Sequence, residues 1–390
     1  MDKKTNIYNF DDIRPLNDSE VGAAIEVLIE SDGFRHALNY IMPGLDWEAF
    51  TTQMRMCKTR EQFKSTLAYS AVELVARRST FSLDISGRSR MPDRPCTIIS
   101  NHRDIVMDVA FLNLLLYDIG HGVTQVAIGD NLLIYPWIDL VVRMNNSFIV
   151  KRDVPRRQML EESRKLSAYI HHTIKETKES IWIAQREGRA KDSNDTTQNS
   201  VLKMLNMGGE SDILTNLMSL NIVPVAISYE IDPCDYLKAQ EFQMKRDHPS
   251  FVKSKRDDLL SMEIGILENK GRVHFTIASP VNPALERLDP AMDRNELFSA
   301  VAAVIDREIY RHYRFYPRNY IAYDMLCKTS RFFSLDYYTA HDREQFLEYL
   351  QKQIDKIDIT NKDEPYLRTR MLEMYSNPLK NHLEKTDAKT

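Results

Sequence analysis

The chain has 390 residues, 43% of them hydrophobic and 28% charged, the proportions of an ordinary folded protein with room for a large core. Its formal net charge is only -4, so bulk charge implies no nucleic-acid partner. The four cysteines, Cys57, Cys96, Cys234 and Cys327, are far apart, which argues against a disulfide framework and a C-x-x-C zinc site and points to a reducing, cytoplasmic compartment.

The opening stretch MDKKTNIYNFDDIRP lacks the apolar run of a signal peptide. Residues 1–80 read as a helical N-terminal region. Val21 to Glu30 and Arg60 to Arg78 carry apolar residues at helical spacing, with a break at Pro43-Gly44. From 81 to 285 short apolar runs alternate with helical ones. Strands are predicted from Phe81 to Ser86, Cys96 to Ser100, Val123 to Ile128, Asn146 to Val150, Ser180 to Ala184, Ile222 to Tyr229 and Val273 to Ala278. Helices are predicted from Val106 to Tyr117 and from about Pro155 to Glu179. This alternation implies an α/β sheet with helices on its faces. Residues 190–200 read as a polar loop, and the charge-rich 244–258, with Pro249, as a mobile insertion. From 286 to 390 the pattern is helical again, fraying after about Lys380.

Four stretches carry chemistry. The first is Ser100-Asn-His-Arg-Asp-Ile-Val-Met-Asp108, where an apolar strand ends and a histidine stands before a helix. A carboxylate that holds one ring nitrogen leaves the other free to accept a proton. Asp108 and Asp104 are the rival carboxylates, and a plain helix cap is the bland alternative. The second stretch, Asn146 to Asp153, ends a strand on Lys151 and Arg152, cations suited to a phosphate or simply to solvent. The third, Trp182 to Arg189, ends a strand on Glu187, Gly188 and Arg189. Glycine permits a tight turn, arginine forks onto a phosphate, and glutamate can lock that arginine. The fourth, Ile222-Val-Pro-Val-Ala-Ile227, is an apolar strand whose Pro224 marks a strand start, an edge or a bulge.

In this order the four stretches resemble the motif blocks of the glycerolipid acyltransferase superfamily, the glycerol-3-phosphate and 1-acylglycerol-3-phosphate O-acyltransferases. Asn101, His102 and Asp108 match its first block, and Phe148, Ile149, Lys151 and Arg152 its second. Glu187, Gly188 and Arg189 match the third, Ile222 to Val225 the fourth, and Gly271 to Pro280 a late strand. The resemblance spans roughly residues 80 to 285. It departs from the family at three points: five residues rather than four separate His102 from Asp108, Lys151 stands where arginine is usual, and no residue separates Gly188 from Arg189.

The resemblance implies a central mixed sheet flanked by helices, with helical N- and C-terminal extensions. It implies an acyltransferase of phospholipid synthesis that moves a fatty acyl group from a thioester to a hydroxyl. His102 would be the base and Asp108 its partner, while backbone N–H groups at the start of the following helix would meet the oxyanion. Lys151, Arg152 and Arg189 would hold the acceptor's phosphate, with Glu187 orienting Arg189, and Asn101 and Gly188 would complete the substrate site. No metal or cofactor is implied beyond acyl-CoA or acyl carrier protein as co-substrate.

No apolar run reaches the roughly 20 residues of a spanning helix. Val106 to Tyr117 is broken by Asp108 and Asn113, and Leu132 to Val142 by Pro136 and Asp139. The expected location is therefore cytoplasmic, with peripheral contact at the inner face of the membrane. Two other readings stand beside this one: a non-catalytic lipid- or partner-binding protein on the same fold, and a hydrolase that uses His102 on water. No Gly-x-Ser-x-Gly elbow supports a serine hydrolase.

Overall fold

A computed structural model describes residues 8–152 and 154–386. Among them seven strands form one sheet: β1 (Ser82–Ser86), β2 (Thr97–Ser100), β3 (Gln125–Gly129), β4 (Ser147–Val150), β5 (Ile181–Ala184), β6 (Ile222–Tyr229) and β7 (Arg272–Ile277). Their order is β1-β7-β6-β2-β5-β3-β4. β6 and β7 are antiparallel and every other neighbouring pair is parallel. Each predicted strand is present, shifted by no more than two residues at either end.

The apolar runs are continuous because both faces of the sheet are covered. Successive side chains alternate between two cores. Ile99, Ile181, Ile183 and Ile222 pack with Leu166, Ile170, Phe298 and Ile305 of the Met159–His172 and Arg294–Arg311 helices. Ile98, Trp182, Val223 and Val225 pack on the other side with Val75, Phe111 and Leu115 of the Tyr69–Ser79 and Met107–Asp118 helices. The N-terminal helices build a separate cluster around Val21, Leu28, Phe34 and Met54. The C-terminal helices build another around Phe346, Leu350, Met371 and Tyr375. The fold is therefore the α/β arrangement with a mixed central sheet and helical extensions.

Pro224 lies in an interior strand, between β2 and β7. Its carbonyl accepts from Ala278 N at 2.9 Å, one residue beyond the last β7 partner, Ile277. The missing N–H falls where that ladder stops, which is how a proline is tolerated there.

Three expectations need correction. The long helix of the middle third starts at Met159, not Pro155, and gives way after His172 to a π-helical turn at Thr173–Thr177. The stretch 244–258 is not a free insertion. It finishes the Asp235–Asp247 helix and opens the Lys255–Leu267 helix, where Ser254 and Asp257 cap one another reciprocally. The tail stays helical to Lys385, with Leu379 and Asn381 buried; residues 1–7 and 387–390 lie outside the described part. No helix among the described residues is long and apolar enough to cross a membrane.

Candidate active site

β2 stops at Ser100 between β5 and β6. The chain then makes a short loop, 101–106, before the Met107–Asp118 helix. Asn101 fastens this loop to β6. Its side-chain amide donates to Ile227 O at 2.9 Å, and its side-chain oxygen accepts from Ile227 N at 2.8 Å. Asn101 is fully buried and both ends of its amide are engaged, so it builds the site rather than binding substrate in it.

His102 Nδ1–H donates to Asp108 Oδ2 at 2.8 Å. The imidazole is mostly buried, with 13% of its surface exposed. It stands edge-on to the Trp182 ring, centroids 5.5 Å apart. Trp182 is itself fixed, its indole N–H donating to Ser100 Oγ at 2.9 Å. The extra residue between His102 and Asp108 is absorbed in the loop, whose backbone folds around the carboxylate: Asp108 Oδ2 also accepts from Arg103 N at 2.6 Å and Asp104 N at 3.1 Å. Burial raises the Asp108 pKa, but the His102 contact and the two backbone bonds more than offset it and leave it lowered.

Asp104 is not the partner of His102. Its Oδ1 accepts from Val106 N at 2.9 Å and Met107 N at 2.8 Å, capping the helix. Between them, Asp104 and Asp108 engage the N–H groups of residues 103, 104, 106 and 107. These amides at the helix start are therefore committed to carboxylates, contrary to the expectation that they face an oxyanion. Burial and then the Asp108 charge raise the Asp104 pKa. The Lys255–Leu267 helix passes close above Asp104, where a Cβ on Gly265 would lie 2.1 Å from Asp104 Oδ2.

The expected cations do not all converge. Lys151, just past the end of the edge strand β4, is held by Asp12, which also binds Lys165 at 2.6 Å. Arg152 lies 3.9 Å from Glu187 Oε1, and Glu187 is 71% exposed. Glu187 thus faces Arg152 and does not orient Arg189. Gly188 takes the left-handed conformation expected of it, φ 63°. Beyond that turn, Arg189 is the cation that reaches the His102 loop. Its charge acts on Asp104 and Cys234, and its Nη1 is buried without a protein partner among the described residues.

Several groups here were missed in the sequence. Arg103, beside His102, is buried and pairs through Nη2 with Asp195 Oδ2 at 2.6 Å. Tyr313 donates to the same oxygen at 2.7 Å. Arg103 O accepts from Lys238 Nζ at 3.1 Å, and Lys238 pairs with Asp232. The polar stretch 190–200 is a loop as far as Gln198, and Ser193, Asp195 and Thr197 are buried in it. Tyr229, the last residue of β6, buries its hydroxyl beside Asp108; burial, then the Asp108 and Asp104 charges, push its pKa well up.

Lys270 is fully buried, its ammonium donating to Ile266 O and Glu268 O at 3.0 Å. Burial brings its pKa down from 10.5 to about 8, against the pull of Asp104. Between these values the unfolded chain holds the extra proton, so stability rises with pH across that window and is lower below it. Lys270→Met should remove that rise. In urea titrations at the two ends of the window, the stability of wild type relative to variant is expected to increase by roughly 3 kcal/mol. An unchanged difference would show that Lys270 titrates normally.

Among the described residues no cluster of three His, Cys, Asp or Glu side chains is placed to hold a metal ion. A search of curated proteins finds no match. One solved structure, the 1-acyl-sn-glycerophosphate (LPA) acyltransferase PlsC from Thermotoga maritima, aligns with a TM-score of 0.35 and 13% identity, over 74% of this chain and 93% of that one. The acyltransferase family model matches residues 82–228. That span runs from β1 into β6 and takes in all four motif stretches with the His102–Asp108 pair, so over these residues the chain is similar to the acyltransferase family.

Proposed function

We propose that this chain is an acyltransferase that moves a fatty acyl group from acyl-CoA or acyl carrier protein to a hydroxyl of a glycerol phosphate or lysophospholipid, with His102 as general base. One observation carries the reading: Asp108 holds Nδ1–H of His102, while Nε2 has no hydrogen-bond partner among the described residues. In that tautomer Nε2 presents a lone pair. It takes the proton of the acceptor hydroxyl as the oxygen attacks the thioester carbonyl carbon. The C–O bond forms, the C–S bond breaks, and the carrier leaves as thiolate or takes the proton back from the imidazolium. Asp108 stabilises the imidazolium between these events. No acyl-enzyme is needed, because the thiolate is already a good leaving group.

Arg189 is the proposed phosphate ligand. A buried guanidinium N–H without a protein partner is costly unless something else binds it. Arg189→Ala is expected to raise the acceptor's KM ~10- to 100-fold, the effect of losing a charge-assisted hydrogen bond, with a smaller change for the donor. An uncharged acceptor used as well as its phosphorylated counterpart would overturn this assignment. The wider reading is tested by incubating the purified protein with labelled acyl-CoA and labelled acyl carrier protein against a panel of hydroxyl acceptors. Labelled ester with a phosphate-bearing acceptor supports it. Binding without transfer would favour the non-catalytic alternative, and release of free fatty acid the hydrolase.

A further inference from the structure

Acyl transfer puts negative charge on the thioester carbonyl oxygen as the new C–O bond forms. The amides at the start of the Met107–Asp118 helix are held by Asp104 and Asp108, so that charge needs another partner. The ladder between β2 and β5 points to one. Ser100 stands level with Ala184, and Gln185 N donates to Ser100 O at 2.8 Å, which carries the parallel pairing past the end of β5. Continued to His102, this register sets position 186 beside it, one strand spacing of about 4.8 Å away. The face follows from alternation. Trp182 and Ala184 pack in the cluster under the Met107–Asp118 helix, so Arg186 leaves the strand on the face where Trp182 meets the His102 ring. Neighbouring cations have anions of their own: Arg103 pairs with Asp195, Lys151 with Asp12, and Arg152 lies against Glu187. Arg186 is half-buried, its Nε is buried without a partner, and its guanidinium forms no ion pair among the described residues. A cation so placed is costly unless a ligand brings negative charge to it.

We propose that Arg186 is a catalytic residue whose guanidinium binds the oxyanion of the transition state. As the acceptor hydroxyl bonds to the carbonyl carbon, its proton passes to His102 Nε2 and the C=O electron pair moves onto oxygen. The pair returns as the C–S bond breaks and the thiolate leaves. A preorganised cation at that oxygen stabilises the transition state more than the neutral thioester, so it lowers the barrier without tightening substrate binding. Position separates this role from that of Arg189, whose charge acts further along on Asp104 and Cys234. A group one strand over from the base meets the carbonyl under attack, while the acceptor's phosphate lies several bonds beyond the attacking oxygen. The inference rests on the acyl-transfer reading above.

The test is steady-state kinetics of Arg186→Gln and Arg186→Lys, with donor and acceptor varied in turn. The kcat of Arg186→Gln should fall about 100- to 1,000-fold, the cost of losing one oxyanion donor, while both KM values stay near those of wild type. Arg186→Lys should keep part of the rate. Guanidinium ion added to Arg186→Ala should restore transfer in part, and should do nothing for His102→Ala. A raised acceptor KM with kcat unchanged would make Arg186 a phosphate ligand and overturn the proposal. A raised donor KM with kcat unchanged would make it a carrier contact, with the same consequence. A kcat near that of wild type in Arg186→Gln would also overturn it. So would a lost rate that comes with lost helical circular dichroism in all three variants and resists guanidinium, since Arg186 would then serve the fold. Wild type that transfers to no acceptor would remove the acyl-transfer reading itself, whereas wild-type transfer with an unaltered Arg186→Gln removes this inference alone.

Discussion

His102→Ala is expected to slow acyl transfer by about a hundredfold or more, the usual cost of removing a general base. The substitution removes a mostly buried ring that touches Asp108 and Trp182, so folding has to be checked by circular dichroism before rates are compared. Asp108→Asn is the sharper companion. Asp108 Oδ2 serves three donors at once, His102 Nδ1–H and the N–H groups of residues 103 and 104. An asparagine that keeps its oxygen there preserves the loop but loses the negative charge that stabilises an imidazolium. One that turns its NH2 inward meets three donors and breaks the loop. Either way transfer should fall, and in the first case the protein stays folded. Near-normal transfer by a folded His102→Ala protein would remove the base assignment and leave the non-catalytic binding protein as the better reading.

The sheet was easy to read for a physical reason. Its strands are short β-branched runs covered on both faces, and β6 has the same limits in the sequence as in the structure, Ile222–Tyr229. The His102–Asp108 pair was legible too, because both groups belong to one loop and the turn that follows it. What escaped were charges whose partners are remote in the chain. Lys151 at a strand end looks like a phosphate ligand until Asp12 is brought beside it. Glu187 and Arg189 are adjacent to the same glycine, yet the left-handed Gly188 between them sends them to different surroundings. Arg103 looks like a solvated neighbour of His102, and nothing local announces that it is buried. A run such as Ala190 to Ser200 is polar and aperiodic, hence read as a polar loop, and nothing in it announces that Asp195 is fully buried. Only tertiary structure tells a polar residue that satisfies a buried charge from one that faces water.

That burial makes Asp195 the second position with a large expected effect. Arg103, next to His102, is fixed at three points: its N–H on Asp108, its carbonyl on Lys238, and its guanidinium on Asp195. Asp195 is anchored in turn by the hydroxyl of Tyr313, just beyond the Arg294–Arg311 helix. Thr197, in the same stretch, bonds Asp306 of that helix through both its N–H and its hydroxyl, at 2.8 and 2.6 Å. The C-terminal extension is thereby tied to the loop that carries His102. Asp195→Ala leaves a buried guanidinium without its ion-pair partner, which is expected to cost about 3–5 kcal/mol of folding stability. If Arg103 also positions the loop, the variant assayed well below its melting temperature should lose kcat while the acceptor's KM changes little. Replacing the pair by apolar residues of similar volume, Arg103→Met with Asp195→Leu, separates the two effects. Stability should largely return, because the desolvation penalty is gone with the charges. The rate should stay low if the guanidinium clamp is what holds His102 in place. A double variant that recovers stability and rate together would show that Asp195 serves the fold alone. An Asp195→Ala protein as stable as wild type would show that the buried pair carries no weight in either.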